Sequence, residues 1–167
     1  MSGNTQKLQD QITSYTIEPH QLRSLAEGVE QLGEPVIVPV TAEHHVAQAW
    51  QTVRSLAESE GFGQVITYYI VTSVAELANN LFLHATRGGA ISVVLVQHDG
   101  RRGIEVVAED QGPGIADVPQ AMQDGFSTIG GLGSGLPGVA RLIDECKIAP
   151  APGVGTRIVA RKWRPCA

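Results

Sequence analysis

The sequence contains few cysteines, few aromatic residues and no long apolar run. Cys146 and Cys166 are the only cysteines among its 167 residues. Their spacing suits neither a metal site nor a disulfide framework, so neither is predicted. No stretch reaches the roughly 18 consecutive apolar residues of a membrane-spanning helix, so no membrane association is expected. Residues 1–11 are polar and lack the apolar core of a secretory signal, which predicts a cytoplasmic location.

Positive charge is also scarce. The formal net charge is -5 at pH 7, which argues against nucleic acid as the main partner. Of all residues, 43% are hydrophobic and 17% are charged, which is typical of a globular protein. The length of the chain favours one domain. Residues 1–33 are predicted to be an N-terminal extension with one amphipathic helix over residues 19–32. Residues 34–167 are predicted to form the functional domain.

Hydrophobic periodicity and turn residues predict an α+β chain. A strand is expected at 36–40, then a helix at 42–60 with Thr41 as its N-cap and Gly61 at its end, then a longer helix at 62–86. Strands 90–97 and 103–109 flank an Asp-Gly pair that is typical of a hairpin. A glycine-rich segment, a helix at 136–145 and a hairpin of strands 147–149 and 155–162 follow. This order predicts a two-layer α/β sandwich with helices on one face of a mixed sheet.

Most of the 19 glycines lie after residue 87, in short clusters. Clustered glycines mark backbone that turns sharply or approaches a ligand closely. Residues 130–136, Gly-Gly-Leu-Gly-Ser-Gly-Leu, open a predicted helix, where free N–H groups and the helix dipole favour a phosphate. No lysine follows the last glycine, so this is not a Walker loop, and no strand precedes it directly, so it is not a Rossmann fingerprint. A flexible linker is the alternative.

A polar stripe runs along the predicted helix 62–86. Glu76, Asn80 and His84 recur every four residues, which places them on one helical face. The opposite face is apolar and carries Leu77, Ala78, Leu81 and Ala85. The stripe is a candidate binding or catalytic surface. A solvated stripe with a partly buried histidine is the alternative.

Two segments place polar groups at strand ends. Asp110 directly follows an apolar strand and precedes Gly112 and Gly114, so its carboxylate could accept a hydrogen bond from an exocyclic amine such as that of adenine. Residues 153–156, Gly-Val-Gly-Thr, open the last strand. Taken alone, each segment is more typical of an ordinary turn than of a binding site.

In combination and in this order, the four segments resemble the ATP site of the GHKL superfamily, which has the Bergerat fold. The resemblance implies that Asn80 supplies an amide oxygen to Mg²⁺, that Asp110 recognises adenine with support from Thr156 and that the glycine segment covers the phosphates. It also implies that Glu76 is the catalytic residue, either as general base or by orienting water. The ATP-binding residues implied in this way are Asn80, His84, Asp110, Gly112, Gly114, Ile115, Ser127, Thr128, Gly130, Gly131, Leu132, Gly133, Ser134, Gly135, Leu136 and Thr156.

Within this superfamily, residues 35–164 most resemble the RsbT-like switch kinases of stress signalling. Segments 72–80, 109–115, 121–138 and 141–145 carry the resemblance. It implies an ATP- and Mg²⁺-dependent serine/threonine kinase that phosphorylates a STAS-domain protein and, once released, activates a PPM-type phosphatase. The chain departs from the family pattern at Trp50, Ala75, Asn79 and Cys146.

Two other functions remain open at this stage. The chain could be an anti-sigma factor that sequesters a sigma factor and uses ATP as a conformational cofactor. It could also be a nucleotide-binding module with little turnover that acts as a phosphatase activator. A two-component histidine kinase is not favoured, because no dimerisation hairpin with a phosphoacceptor histidine precedes the site.

Overall fold

A computed structural model describes residues 27–85, 88–110, 135–151 and 155–165. In chain order the elements are strands β1 (Glu30–Gln31) and β2 (Val36–Val40), helices α1 (Glu43–Ser59) and α2 (Gln64–His84), strands β3 (Gly89–His98) and β4 (Arg101–Asp110), helix α3 (Gly135–Leu142), and strands β5 (Glu145–Ala151) and β6 (Gly155–Trp163). No helix in the described part of the chain is both long and apolar enough to cross a membrane.

The strands form one sheet in the order β1-β3-β4-β6-β5, and β2 also pairs with β3. The two-layer α+β architecture is as predicted, but every strand pair in the described ranges is antiparallel, whereas a mixed sheet was expected. The connection from β4 through α3 to β5 would allow a parallel pair. The final hairpin prevents it, because β6 lies between β4 and β5.

The central hairpin is tighter than predicted. Strands β3 and β4 continue to His98 and Arg101, so only Asp99 and Gly100 remain in the turn. Both have positive φ, 49° and 76°. A two-residue turn of this kind matches the twist of the flanking strands, and Asp-Gly tolerates its left-handed backbone. The predicted hairpin is therefore confirmed, and its strands are longer than expected.

Helix α1 begins one residue later than predicted, and its cap is different. The N-cap is Ala42, not Thr41. The ring of His45 takes the role of a capping side chain, because its Nδ1 accepts the N–H groups of Thr41, at 3.1 Å, and of Ala42, at 3.2 Å. Two backbone donors at the start of the helix, which have no partner within it, are satisfied in this way.

The expected helix over residues 19–32 is wrong at its C-terminal end. Residues 1–26 lie outside the described residues, but Glu30 and Gln31 form a strand against Gln97 and Val96. Leu32 extends this contact by donating its N–H to the carbonyl of Leu95 at 2.8 Å. Pairing with an open edge of β3 satisfies backbone groups that a helix end would leave exposed.

The two faces of the sheet differ in what they contact. On the inner face, apolar residues of β3, β4 and β6 share one core with all three helices. On the outer face, Val94, Val96 and Trp163 form a separate cluster. The alternation of side chains along each strand divides the residues between the two faces.

The outer face also carries a buried ion cluster. Arg161 Nε lies 2.7 Å from Glu105 Oε2, and Arg161 Nη1 lies 3.4 Å from Glu145 Oε2. The three residues are direct cross-strand neighbours on β4, β6 and β5. Their side chains are each only 10% exposed, so Arg161 balances two carboxylates that water solvates poorly.

Removing this arginine should be far more costly than removing its exposed counterpart. Arg161→Ala leaves two buried carboxylates without this cation, and we expect the free energy of unfolding to fall by about 3–5 kcal/mol. Arg157→Ala is the matched control, because Arg157 pairs with Glu109 on the same two strands but is 58% exposed. It should cost about 0–1 kcal/mol. Urea unfolding followed by circular dichroism measures both, and equal losses would contradict the assigned role of the cluster.

Candidate functional site

The polar stripe of α2 runs from the interior to the surface. Glu76 is 5% exposed, Asn80 is half-buried and His84 is exposed. With a rise of about 1.5 Å per residue, the three positions cover about 12 Å along the helix. The prediction that they share one face is consistent with the continuous helix Gln64–His84. The alternative of a solvated stripe does not apply to Glu76, which is buried.

Glu76 is unusual because it is buried yet makes no hydrogen bond or ion pair among the described residues. No described side-chain nitrogen or oxygen is both fully buried and without a hydrogen-bond partner. The carboxylate of Glu76 therefore keeps an accessible oxygen, although the residue as a whole is 5% exposed. This oxygen is therefore available to a group that binds beside α2.

Asp110 ends β4 beside the C-terminal part of α2. Its register partner is Gly89, the first residue of β3. A Cβ atom at Gly89 would lie 2.9 Å from Leu81 Cδ2 and 2.7 Å from the carbonyl oxygen of Glu109. Only a glycine therefore lets α2 pack this closely on the strand end. This close packing brings the helix turn that carries Asn80 next to the end of β4.

Thr156 lies near the same edge of the sheet. The last recorded pair between β4 and β6 is Glu109 with Arg157, and these side chains form an ion pair of 3.0 Å. Asp110 and Thr156 are the next residues along their strands, so their backbones come together one position beyond that pair. The structure thus brings Thr156 and Asp110 into neighbouring positions at the sheet edge.

Helix α3 follows the C-terminal end of the glycine segment and packs against α2. Val139 and Ile143 join the core shared with α2, and α3 begins at Gly135, directly before Leu136. The chain from Asp110 to Gly135 therefore starts and ends beside α2. The remaining predicted site residues lie outside the described residues: Gly112, Gly114, Ile115, Ser127, Thr128, Gly130, Gly131, Leu132, Gly133 and Ser134.

Two features of this region were not predicted from the sequence. Gly89 lies between the predicted helix 62–86 and the predicted strand 90–97, whereas in the structure it begins β3 and makes room for Leu81. A glycine inside a strand can indicate such a close approach, but that signal is weak without the fold. The ion pair of Arg157 with Glu109 joins residues 48 positions apart, so only the strand register reveals it.

Comparison with known proteins identifies the family of the chain. The family model of the histidine kinase-like ATPase domain matches residues 38–162, which include α1, α2 and all the strands that border the site. The chain belongs to the histidine kinase-like ATPase family. Use of ATP follows from that membership, and the matched range contains every predicted site residue.

Two individual relatives show which members of this family the chain is similar to. This histidine kinase-like ATPase is 46% identical over 126 residues to the serine/threonine-protein kinase RsbT of Bacillus subtilis, covering 75% of this chain and 94% of the relative. It is 31% identical over 97 residues to an anti-sigma F factor of Halalkalibacterium halodurans, covering 56% of this chain and 66% of the relative.

A solved structure supports the fold. The RsbU and RsbW domains of a Mycobacterium tuberculosis protein match with a TM-score of 0.56 over 80% of this chain and 34% of that chain. At 17% sequence identity, this match confirms the α+β fold class alone.

Proposed function

We propose that this chain is a serine/threonine protein kinase that transfers the γ-phosphoryl group of ATP to a STAS-domain protein in a partner-switching pathway of stress or sigma-factor control. The observation that carries the proposal is the accessible oxygen of the buried, unpaired Glu76, one helical turn from Asn80. The similarity to RsbT of Bacillus subtilis supports the kinase assignment. A cytoplasmic location accords with this role.

In the proposed site, adenine lies at the sheet edge and the phosphates lie toward α3. The Asp110 carboxylate accepts a hydrogen bond from the exocyclic amine of adenine, and Thr156 on the neighbouring strand supports it. The glycine segment between Asp110 and Gly135 covers the phosphates. Free N–H groups at the start of α3 suit this end of the site to the negative charge of the phosphates.

Asn80 is the proposed Mg²⁺ ligand. It is half-buried, and among the described residues its amide has no hydrogen-bond partner. An amide oxygen fits the preference of Mg²⁺ for oxygen ligands, and this ion is usually held by one or two protein groups together with substrate phosphates. The ion would neutralise charge on the phosphates. The donor set therefore fits a metal that binds together with the nucleotide.

Glu76 is the proposed general base. It would take the proton of the attacking serine or threonine hydroxyl of the partner while the phosphoryl group is transferred. Burial keeps water from surrounding the carboxylate, and the absence of a cationic partner in the described ranges leaves it able to accept a proton. Its position one turn from Asn80 would place the base beside the phosphates.

An anti-sigma factor is the second candidate. The 31% identity to the anti-sigma F factor of Halalkalibacterium halodurans favours it, because such a protein would keep the same ATP site. Incubation with labelled ATP, a STAS-domain protein and a sigma factor separates the two functions. Label on a serine or threonine supports the kinase, whereas a stable, unlabelled sigma complex supports the anti-sigma factor.

Nucleotide binding should depend on Asp110 and Asn80 but not on Asn79. Asp110→Asn disturbs the group that accepts the adenine amine, and Asn80→Ala removes the metal ligand. Each should weaken Mg-ATP binding by about 1–3 kcal/mol. Asn79→Ala is the matched control, because Asn79 is also half-buried on α2 but lies about 100° around the helix. Titration calorimetry measures the affinities, and equal affinities for all the folded variants would refute the site.

Replacement of Glu76 should separate binding from transfer. Glu76→Gln keeps the size of the side chain but cannot take a proton, so Mg-ATP affinity should be retained while the rate of phosphorylation falls by about 10²–10⁴-fold. Single-turnover transfer from labelled ATP measures the rate. Transfer at the wild-type rate would show that Glu76 is not the base.

The phosphorylated product should leave the kinase. A phosphate adds about -1.5 to -2 charges to the partner, next to Glu76 on a chain of net charge -5. Repulsion should weaken the product complex and free the kinase to activate a PPM-type phosphatase. Affinity for the STAS protein before and after phosphorylation, at one salt concentration, tests the release. If the phosphorylated form binds as tightly, the switch is excluded.

A further inference from the structure

Part of the outer face of the sheet is shielded from solvent although no helix of the described ranges covers it. Val94, Val96 and Trp163 are only 3%, 0% and 7% exposed. The other described apolar residue packed against them is Val29, at the start of the described chain. The apolar residues of the helices belong to the inner core instead. A segment of the chain other than these helices must therefore provide the shield.

The shielding is confined to one end of this face. Near the Val29 end, the side chains of the Glu105–Arg161 pair are each 10% exposed. Four residues further along the same two strands, the side chains of the Arg157–Glu109 pair are 58% and 45% exposed. Both pairs lie on the same face of the same two strands, so the exposure changes along this face and not between the two faces. The shield lies over the end of the face that Val29 contacts.

The chain preceding residue 27 enters at this end. His98 fixes the entry point through its contact of 3.4 Å between Nδ1 and the carbonyl oxygen of Gly28, and its ring lies 6.2 Å from that of Trp163. Gly28 has a φ of 75°, so the backbone turns there. The turn directly precedes Val29, which packs on the outer cluster, so residues before Gly28 leave from the rim of the shielded region.

We propose that residues 1–26 of this chain dock on the outer face of the sheet and cover Val94, Val96, Trp163 and the ion cluster of Arg161. In regular helical form, 26 residues would span about 39 Å, whereas the four strands β3, β4, β6 and β5 together span about 15 Å. The segment is therefore long enough. Its sequence offers apolar residues at spacings of three and four that lead to Val29, namely Leu22, Leu25 and Ala26.

This docking would distinguish the chain from RsbT of Bacillus subtilis. The family match begins at residue 38, and 75% of this chain suffices to cover 94% of RsbT of Bacillus subtilis. The added segment would close a sheet face that otherwise offers an apolar and charged surface to a second copy or another protein. The occupant of the face is thus part of the chain itself, and the proposal does not depend on the kinase assignment.

Fluorescence quenching of Trp163 in the full chain tests the proposal. Trp50→Phe is introduced throughout, so that Trp163 is the only tryptophan. In this background, Leu22→Asp combined with Leu25→Asp should raise the acrylamide quenching constant several-fold and shift the emission to longer wavelength. The matched control is Val65→Asp at an exposed apolar position on α2, 62% exposed, which should change neither. Unchanged shielding in the folded double variant would overturn the proposal.

The unaltered chain provides a second test that needs no substitution. Its lysines are Lys7, Lys147 and Lys162, and Lys147 is exposed on β5, on the outer face. An amine-reactive cross-linker should join Lys7 to Lys147 within one molecule. In a mixture of isotopically light and heavy chains, links that form only between molecules would assign the face to a second copy. That result, or cross-linking of Lys7 only to Lys162, would overturn the proposal.

Discussion

The packing of α2 on the sheet is the constraint on which the proposed site depends. One side of this helix must bury Leu77, Ala78 and Leu81 against the strands, and this fixes the direction in which the other side chains point. The contact at the strand end is so close that Gly89 cannot carry a side chain without displacing Leu81 or the backbone of β4. The hydrophobic core and the position of the polar stripe are therefore set by the same contacts.

This arrangement explains how residues far apart in the sequence would contribute to the proposed site. Glu76 and Asn80 come from α2, Asp110 from the end of β4 and Thr156 from the start of β6. None of these positions is defined by local structure alone, because the sheet register aligns the strand ends and the helix packing sets the depth of Glu76. A nucleotide between them would contact the helix, two strand ends and the segment that leads to α3.

Much of the fold could be predicted because its signals are local. The strand Val36–Val40 and the Asp99-Gly100 turn follow from alternation and turn chemistry, and the four-residue spacing of Glu76, Asn80 and His84 defines one helical face. Features that depend on distant contacts were predicted incorrectly or missed. The His45 cap replaces an expected threonine, Glu30 and Gln31 pair with β3 instead of extending a helix, and β6 lies between β4 and β5.

Trp50 on α1 is one of the departures from the family pattern. The resemblance places an arginine at this position of the first long helix. Here Trp50 is half-buried and packs against the inner core. An apolar ring contributes to packing where the family pattern has a charge, so this part of α1 would offer a partner one charge fewer.

Nucleotide recognition is the central claim of this account, and a structure of the chain with Mg²⁺ and a non-hydrolysable ATP analogue tests it most directly. The decisive measurement is the distance between the exocyclic amine of adenine and the Asp110 carboxylate. The account predicts a hydrogen bond of about 2.7–3.2 Å, with the phosphates between Asn80 and the start of α3. An adenine ring bound elsewhere, such as in the surface groove lined by Arg54, Gly63 and Tyr68, would contradict it.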